Sequence, residues 1–285
     1  MILCAGLGTR MRPLTEWRAK PLAPVGDAPA LAQVLAALRR SGRARIVINA
    51  HHRAEDVRAF LRERDGAVAL SEEKELLGTA GGVRFARALL GEGDVLVWNG
   101  DIHADIDVAA LLAAHRAEAT LLVRPAPLGS GNVGIAKDSR IVRLRRETTA
   151  PGEVRSGEFV GVHVLGSRLR DDLPVKGCLV GDVYLPALRR GAVLDAFSTD
   201  VPFWDIGTIA AYLNANMAWL ASRGVRSWVA PSAKVGDGVW LEGAIVHAGA
   251  QVMGSGRMDR VVVWEGATCR APIADAVVAP EGIAR

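Results

Sequence analysis

Apolar residues in this chain fall into short unbroken runs, separated by longer stretches where they recur every three or four positions. That is the pattern of buried strands alternating with amphipathic helices. Ile2, Leu3 and Cys4 form the first run; Ile46, Val47 and Ile48 centre a second over 45–50, and Val95, Leu96 and Val97 another over 94–98. Between the first two, residues 29–40 set Leu31, Val34, Leu35 and Leu38 at helical spacing and stop at Ser41-Gly42, a helix end. Strand, loop, helix and strand in that order imply a right-handed crossover and a parallel sheet. The same reading predicts helices over 55–64, 83–90, 108–116, 179–190 and 209–220, and strands over 67–71, 120–124, 158–165 and 193–197. Residues 132–135 open a β-rich section that runs through Val142 and Leu144.

From about residue 227 the pattern changes. Short β-branched segments carry Gly or Ala at roughly six-residue intervals, notably Gly243, Gly249 and Gly266, a loose hexapeptide rhythm. It predicts two or three coils of a left-handed parallel β-helix. The expected fold is α/β: a Rossmann-like mixed, mostly parallel sheet flanked by helices over 1–225, followed by the short β-helix over 226–285. So short a solenoid leaves strand edges open, and a homo-oligomer is expected.

Composition narrows the class. Half of the 285 residues are apolar, yet there is no uninterrupted run long enough to predict a membrane span, and no charged segment precedes an apolar one as in a signal peptide. Three scattered cysteines, Cys4, Cys178 and Cys269, suggest neither a disulfide framework nor a zinc site, and a reducing cytoplasm is the default compartment. The net charge of +4 comes from arginines spread along the chain, which speaks for a basic cleft and against a nucleic-acid partner. Lysines are few, and one of them, Lys20, falls in the stretch that carries the candidate chemistry.

That stretch is 2–25. The first apolar run passes into a loop holding Gly6, Gly8, Thr9 and Arg10, with Lys20-Pro21 beyond. Glycines let successive N–H groups approach an anion closely, and a guanidinium bonds two phosphate oxygens at once. Neither a P-loop nor a dinucleotide fingerprint fits, since the lysine spacing and the third glycine are missing. Further on, the charged stretch 72–77 leads into Gly78-Thr79-Ala80-Gly81, which reads locally as a helix start with Thr79 as N-cap. Asn99-Gly100-Asp101 ends the third central strand, on the sheet edge where open α/β folds bind ligands. Trp204-Asp205-Ile206-Gly207-Thr208 enters the helix over 209–220, with Thr208 as N-cap.

Taken whole, Ala5 to Thr15 together with Ala19-Lys20-Pro21-Leu22 and Pro24-Val25 closely resembles the signature of the sugar-1-phosphate nucleotidyltransferases. The resemblance implies that a nucleoside triphosphate and a sugar 1-phosphate are the partners. It implies Arg10, Lys20 and Asp101 as catalytic residues, and nucleotide contacts at Leu3, Ala5, Gly6, Gly8, Thr9, Arg10, Gly78, Thr79, Ala80, Gly81, Asn99 and Gly100. Sugar contacts fall at Gly134, Glu158, Gly161 and Asp182, and Mg²⁺, the expected cofactor, at Asp101 and Asp205. Many members carry a Glu-Lys-Pro after the strand equivalent to 141–144; this chain has Arg145-Arg146-Glu147. The Leu-Gly-Thr-Ala-Gly segment and the tail resemble the mannose-1-phosphate guanylyltransferases most. The absent Glu-Lys-Pro is similar to uridylyltransferases acting on amino sugars such as N-acetylmuramate 1-phosphate, and some relatives are non-catalytic regulatory subunits.

Overall fold

The central strand is only two residues long, Ile2–Leu3, and completely covered at Ile2. It is held on both sides by parallel strands: Ile2 pairs with Ile48 and with Trp98, and Leu3 with Asn49 and with Asn99. These coordinates are a computed structural model that describes residues 1–42, 45–64 and 67–285. By Cα proximity the chain forms two compact units, Met1–Gly6 with Leu35–Phe203 and Leu7–Val34 with Trp204–Arg285.

The first unit is built on a ten-stranded sheet. Its main path runs Glu147–Thr148, Ile141–Leu144, Val133–Ile135, Arg155–Leu165, Val95–Asn99, Ile2–Leu3, Ile46–Ala50 and Val68–Glu72. Ala119–Ala126 pairs with Arg155–Leu165, and Leu194–Ser198 with Ala119–Ala126. The sheet is mixed, but the expectation of mostly parallel pairing is corrected. Around Ile2–Leu3 and between Leu194–Ser198 and Ala119–Ala126 the strands are parallel, whereas Arg155–Leu165 pairs antiparallel with each of its neighbours, as do the strands from Val133–Ile135 to Glu147–Thr148. The reason is loop length: the short connections between Val133–Ile135, Ile141–Leu144 and Glu147–Thr148 suit hairpins and are too brief for the crossover that parallel neighbours need. The core beneath combines Val47, Val97, Leu121 and Val133 with Leu179, Tyr184 and Leu188.

In the second unit, helix Ile209–Ser222 packs on a stack of parallel strands, Ser227–Val229, Gly238–Val246, Gln251–Val263 and Thr268–Ala279. Partners in successive layers lie 17 residues apart, as Ser227 with Ala244, Lys234 with Gln251 and Val246 with Val263. The last layer shortens after Gly254, so that Val263 meets Val278. Alternation along each strand explains both sides of the wall. Ala244, Val246, Val261 and Val263 fill the coil interior, while Ile245, Val262 and Val277 cluster with Tyr212, Leu213 and Trp219 of the helix. The compact units therefore do not follow the expected cut near residue 225. The helix and Leu7–Val34 group with the coil because their apolar faces are buried there: Tyr212 Oη donates to Pro24 O at 2.5 Å, and Gly26 N donates to Asn216 Oδ1 at 2.9 Å. Among the described residues no helix is long and apolar enough to cross a membrane.

Candidate active site

Three parallel strands of the first unit end at one sheet edge, where Leu3 lies between Asn49 and Asn99. Gly100 N donates to Leu3 O at 2.8 Å. A Cβ at Gly100 would meet Cys4 Sγ at 2.6 Å, so a glycine is required before Asp101. Burial pushes the Cys4 thiol up, and the nearby Asp101 charge adds to the effect. Asp101 thus stands half-buried beside the start of the glycine loop.

Behind this edge lies a buried network that the sequence analysis missed. Asn49 and Glu73 are 2% and 5% exposed. Asn49 Oδ1 accepts from Cys4 N at 2.7 Å and its Nδ2 donates to Glu73 Oε1 at 2.6 Å; Glu73 Oε2 accepts from Leu77 N at 3.2 Å. A buried carboxylate demands such partners. The available signal was an Asn closing an otherwise apolar strand and an acid just after another.

The Gly78–Gly81 segment is a helix start, the first turn of helix Gly78–Phe85, with Leu77 as N-cap. Thr79 is not the cap. Its Oγ1 accepts from Leu179 N at 2.8 Å, and Ala80 N donates to Gly177 O at 2.9 Å. Of the expected nucleotide segment, Ala80 therefore has its N–H spent on Gly177 O. The small side chains have packing reasons: a Cβ at Gly81 would meet Lys176 Cα at 3.0 Å, and one at Gly82 would meet Asn49 Nδ2 at 2.6 Å and Glu73 Oε1 at 2.7 Å.

The residues expected to contact the sugar all lie in the first unit. Asp182 Oδ2 accepts from Cys178 N at 2.7 Å, at the start of a π-helical turn over Leu179–Tyr184. Gly161, at φ +87°, makes room for Asn99, whose Nδ2 a Cβ there would meet at 2.7 Å. Glu158 pairs with Arg124 at 3.0 Å. Gly134 lies under the Arg143–Glu153 ion pair, which is 2.8 Å long. Arg145, with φ +57°, brings Nη2 to 3.5 Å from Cys178 Sγ. Burial acts to raise that thiol, but N–H groups of Gly181 and Val180, the Thr79 hydroxyl and the Arg145 charge hold it below its usual value.

In the second unit, Gly8 takes the left-handed conformation (φ +62°) and a Cβ there would meet Thr15 Cγ2 at 2.6 Å; Thr15 Oγ1 donates to Gly8 O at 2.9 Å. Gly6, in the first unit, has no positive φ, and a Cβ on it would find nothing within 4 Å. The two glycines therefore differ: Gly8 shapes the loop, and Gly6 leaves open space. Arg10 follows in a 3₁₀ turn, Thr9–Met11, with Nη2 3.8 Å from Asp205 Oδ2. A Cβ at Gly207 would meet Arg10 Nη2 and Asp205 Oδ1, each at 2.7 Å, which accounts for the glycine two residues after the acid. Both side chains are well exposed, 66% and 48%, so the pair adds little to stability and leaves donors and oxygens for a ligand. Thr208 does cap its helix, accepting from Ala211 N at 3.1 Å. Lys20 opens another 3₁₀ turn, Lys20–Leu22. Among the described residues no group of three or more His, Cys, Asp or Glu side chains could hold a metal ion.

The chain is similar to known proteins. The family profile described as nucleotidyl transferase matches residues 1–131. A UTP–glucose-1-phosphate uridylyltransferase of Synechocystis is 28% identical over 84% of this chain and 68% of its own length. A mannose-1-phosphate guanyltransferase of Schizosaccharomyces pombe is 29% identical over 78% and 64%. Among solved structures, HddC from Yersinia pseudotuberculosis complexed with GMP-PN superposes with a TM-score of 0.64, at 23% identity over 76% of this chain and 97% of that one, a likeness of fold. An N-acetylmuramate alpha-1-phosphate uridylyltransferase of Caulobacter vibrioides is 35% identical over 192 residues, 61% of this chain and 77% of its own, and the chain belongs to the sugar-1-phosphate nucleotidyltransferases.

Proposed function

We propose that the chain transfers the guanylyl group of GTP to mannose 1-phosphate. A phosphate oxygen of the sugar 1-phosphate attacks the α-phosphorus in line, the bond to the β-phosphate breaks, and pyrophosphate leaves. The observation that carries the reading is the exposed Arg10 guanidinium beside Asp205, on a loop shaped by Gly8. A preorganised cation of this kind stabilises charge as it develops on a leaving pyrophosphate. Lys20 counters charge on the α-phosphate and on the incoming sugar phosphate, and Gly6 leaves its backbone open to phosphate oxygens. Arg145, beside Cys178, is the cation we assign to the sugar phosphate where relatives carry a lysine. A phosphate dianion is already a nucleophile, so no general base is needed.

Mg²⁺ fits the donor chemistry, since it takes one or two carboxylates and completes its shell with phosphate and water. Asp101 and Asp205 are the carboxylates that would hold it. When bound, the ion lowers the repulsion between the two phosphate groups. The C-terminal coil is read as left-handed, the chain as a homo-oligomer through its open end, and the compartment as a reducing cytoplasm.

The choice of mannose is supported by the guanylyltransferase relative, whose alignment covers more of this chain than that of the muramate enzyme. A second reading, UTP with N-acetylmuramate 1-phosphate, is favoured by the higher identity of that relative. Pyrophosphate release measured over the common triphosphates and sugar 1-phosphates tests both. GTP with mannose 1-phosphate is expected to give the highest kcat/KM; a preference for UTP selects the second reading. No release with any pair, while nucleotide sugars still bind, makes the protein a regulatory subunit.

A further inference from the structure

The first unit contains a cavity of about 700 Å³ between the loop Gly91–Gly93 and the short helix Ser167–Asp171, walled by Arg84, Arg87 and Arg170. Gly91 and Gly93 precede strand Val95–Asn99, and Ser167 follows Leu165, which pairs with Val95. The cavity therefore opens at the sheet edge opposite the one that bears Gly100 and Asp101. Nothing in the transfer reaction uses it.

Several guanidiniums elsewhere in this unit are consumed by carboxylates: Arg58 by Glu72, Arg143 by Glu153, Arg189 by Glu147. Among the described residues, the three around the cavity are not. Arg170 donates from Nη1 to Gly93 O at 2.6 Å and from Nη2 to Gly91 O, and Arg84 donates from Nη1 to Leu173 O. Carbonyl partners fix a guanidinium without neutralising it, and each has five N–H donors, so some remain over. Arg87 is exposed at the same wall. Glu92 and Asp171 also line the cavity; as carboxylates they only accept, which suits hydroxyl groups better than a second anion. The volume lies in the ordinary range of small-molecule sites.

We propose that this cavity binds a sugar monophosphate at a site separate from the substrates, the phosphate on Arg84, Arg87 and Arg170 and the hydroxyls on Glu92 and Asp171. Arg84 belongs to helix Gly78–Phe85, whose first turn is the expected nucleotide segment. A ligand there therefore biases nucleotide binding, a consequence that rests on the transferase reading.

The test is a calorimetric titration of the full chain with glucose 6-phosphate, whose anomeric carbon carries no phosphate. Wild type and Arg10→Ala are expected to bind it with the same affinity, and Arg87→Glu at least about tenfold more weakly at an unchanged melting temperature. Equal binding by Arg87→Glu, loss of binding in Arg10→Ala, or inorganic phosphate binding as tightly as the sugar phosphate overturns the proposal. Binding is read without turnover, so its failure is distinguishable from failure of the transferase reading. For the coupling, glucose 6-phosphate is expected to shift the KM for the triphosphate in wild type and not in Arg87→Glu; an unshifted KM refutes it.

Discussion

Arg10 is well exposed and nearly costless to the fold, which makes its chemistry separable from stability. Replacing Arg10 by Ala removes an exposed side chain and is expected to cost about 2–4 kcal/mol in kcat/KM, the scale of one charge-stabilising donor; a loss below about tenfold would return Arg10 to a structural role. Asp101→Asn should lower turnover about a hundredfold or more with an unaltered far-UV spectrum, and near-normal rates in saturating Mg²⁺ would count against it as a ligand. His163 is a different case. It is 2% exposed, both ring nitrogens lack partners among the described residues, and burial lowers its pKa to about 3. The folded state keeps it neutral while the unfolded chain takes up a proton below about 6.5. Stability is thus lost as pH falls from that value towards 3, by about 2 kcal/mol at pH 5. Urea titrations of His163→Phe against wild type at pH 7 and pH 5 should show this sensitivity removed.

At the level of elements, helix Gly78–Phe85 depends on its small residues. Gly82→Ala raises helix propensity by about 1 kcal/mol, yet its Cβ would press on the buried Asn49–Glu73 pair. Overpacking of about 1–3 kcal/mol is expected to win, lowering the urea midpoint; a more stable variant would show that the pair can shift. This helix also marks the limit of what the sequence could tell. Ile46–Ala50 and Val95–Asn99 were legible because an apolar run is a local signal. The helix start was legible but its cap was not: Thr79 read as the N-cap, whereas its hydroxyl and the N–H of Ala80 are engaged by Leu179 and Gly177, a hundred residues away. The Asn49–Glu73 pair escaped for the same reason, as did the antiparallel half of the sheet, which follows from pairing choices and not from any strand's own composition. The glycine loop and Asp205-Ile206-Gly207-Thr208 were readable because contiguous residues carry their geometry: Gly8 with Thr15, Gly207 with Asp205.

For the molecule as a whole, the coil's two ends are unequal. One is closed by Gly282–Ala284, which folds back antiparallel on Thr268–Ala279. At the other, among the described residues, Ser227–Val229 and Lys234–Val235 each pair on one side only, and Trp240 nearby is 75% exposed. An unprotected edge with a large aromatic beside it is a pairing surface. Light scattering at micromolar concentration should give a dimer or larger, and Trp240→Glu a smaller species; a monomeric wild type refutes the oligomer. The 17-residue spacing between stacked partners in the first layers has a further outcome. It is a unit of length that the gene can copy: duplicating 238–254 would insert one more rung, raising the tower by about 4.8 Å while its lid and its foundation stay as they are.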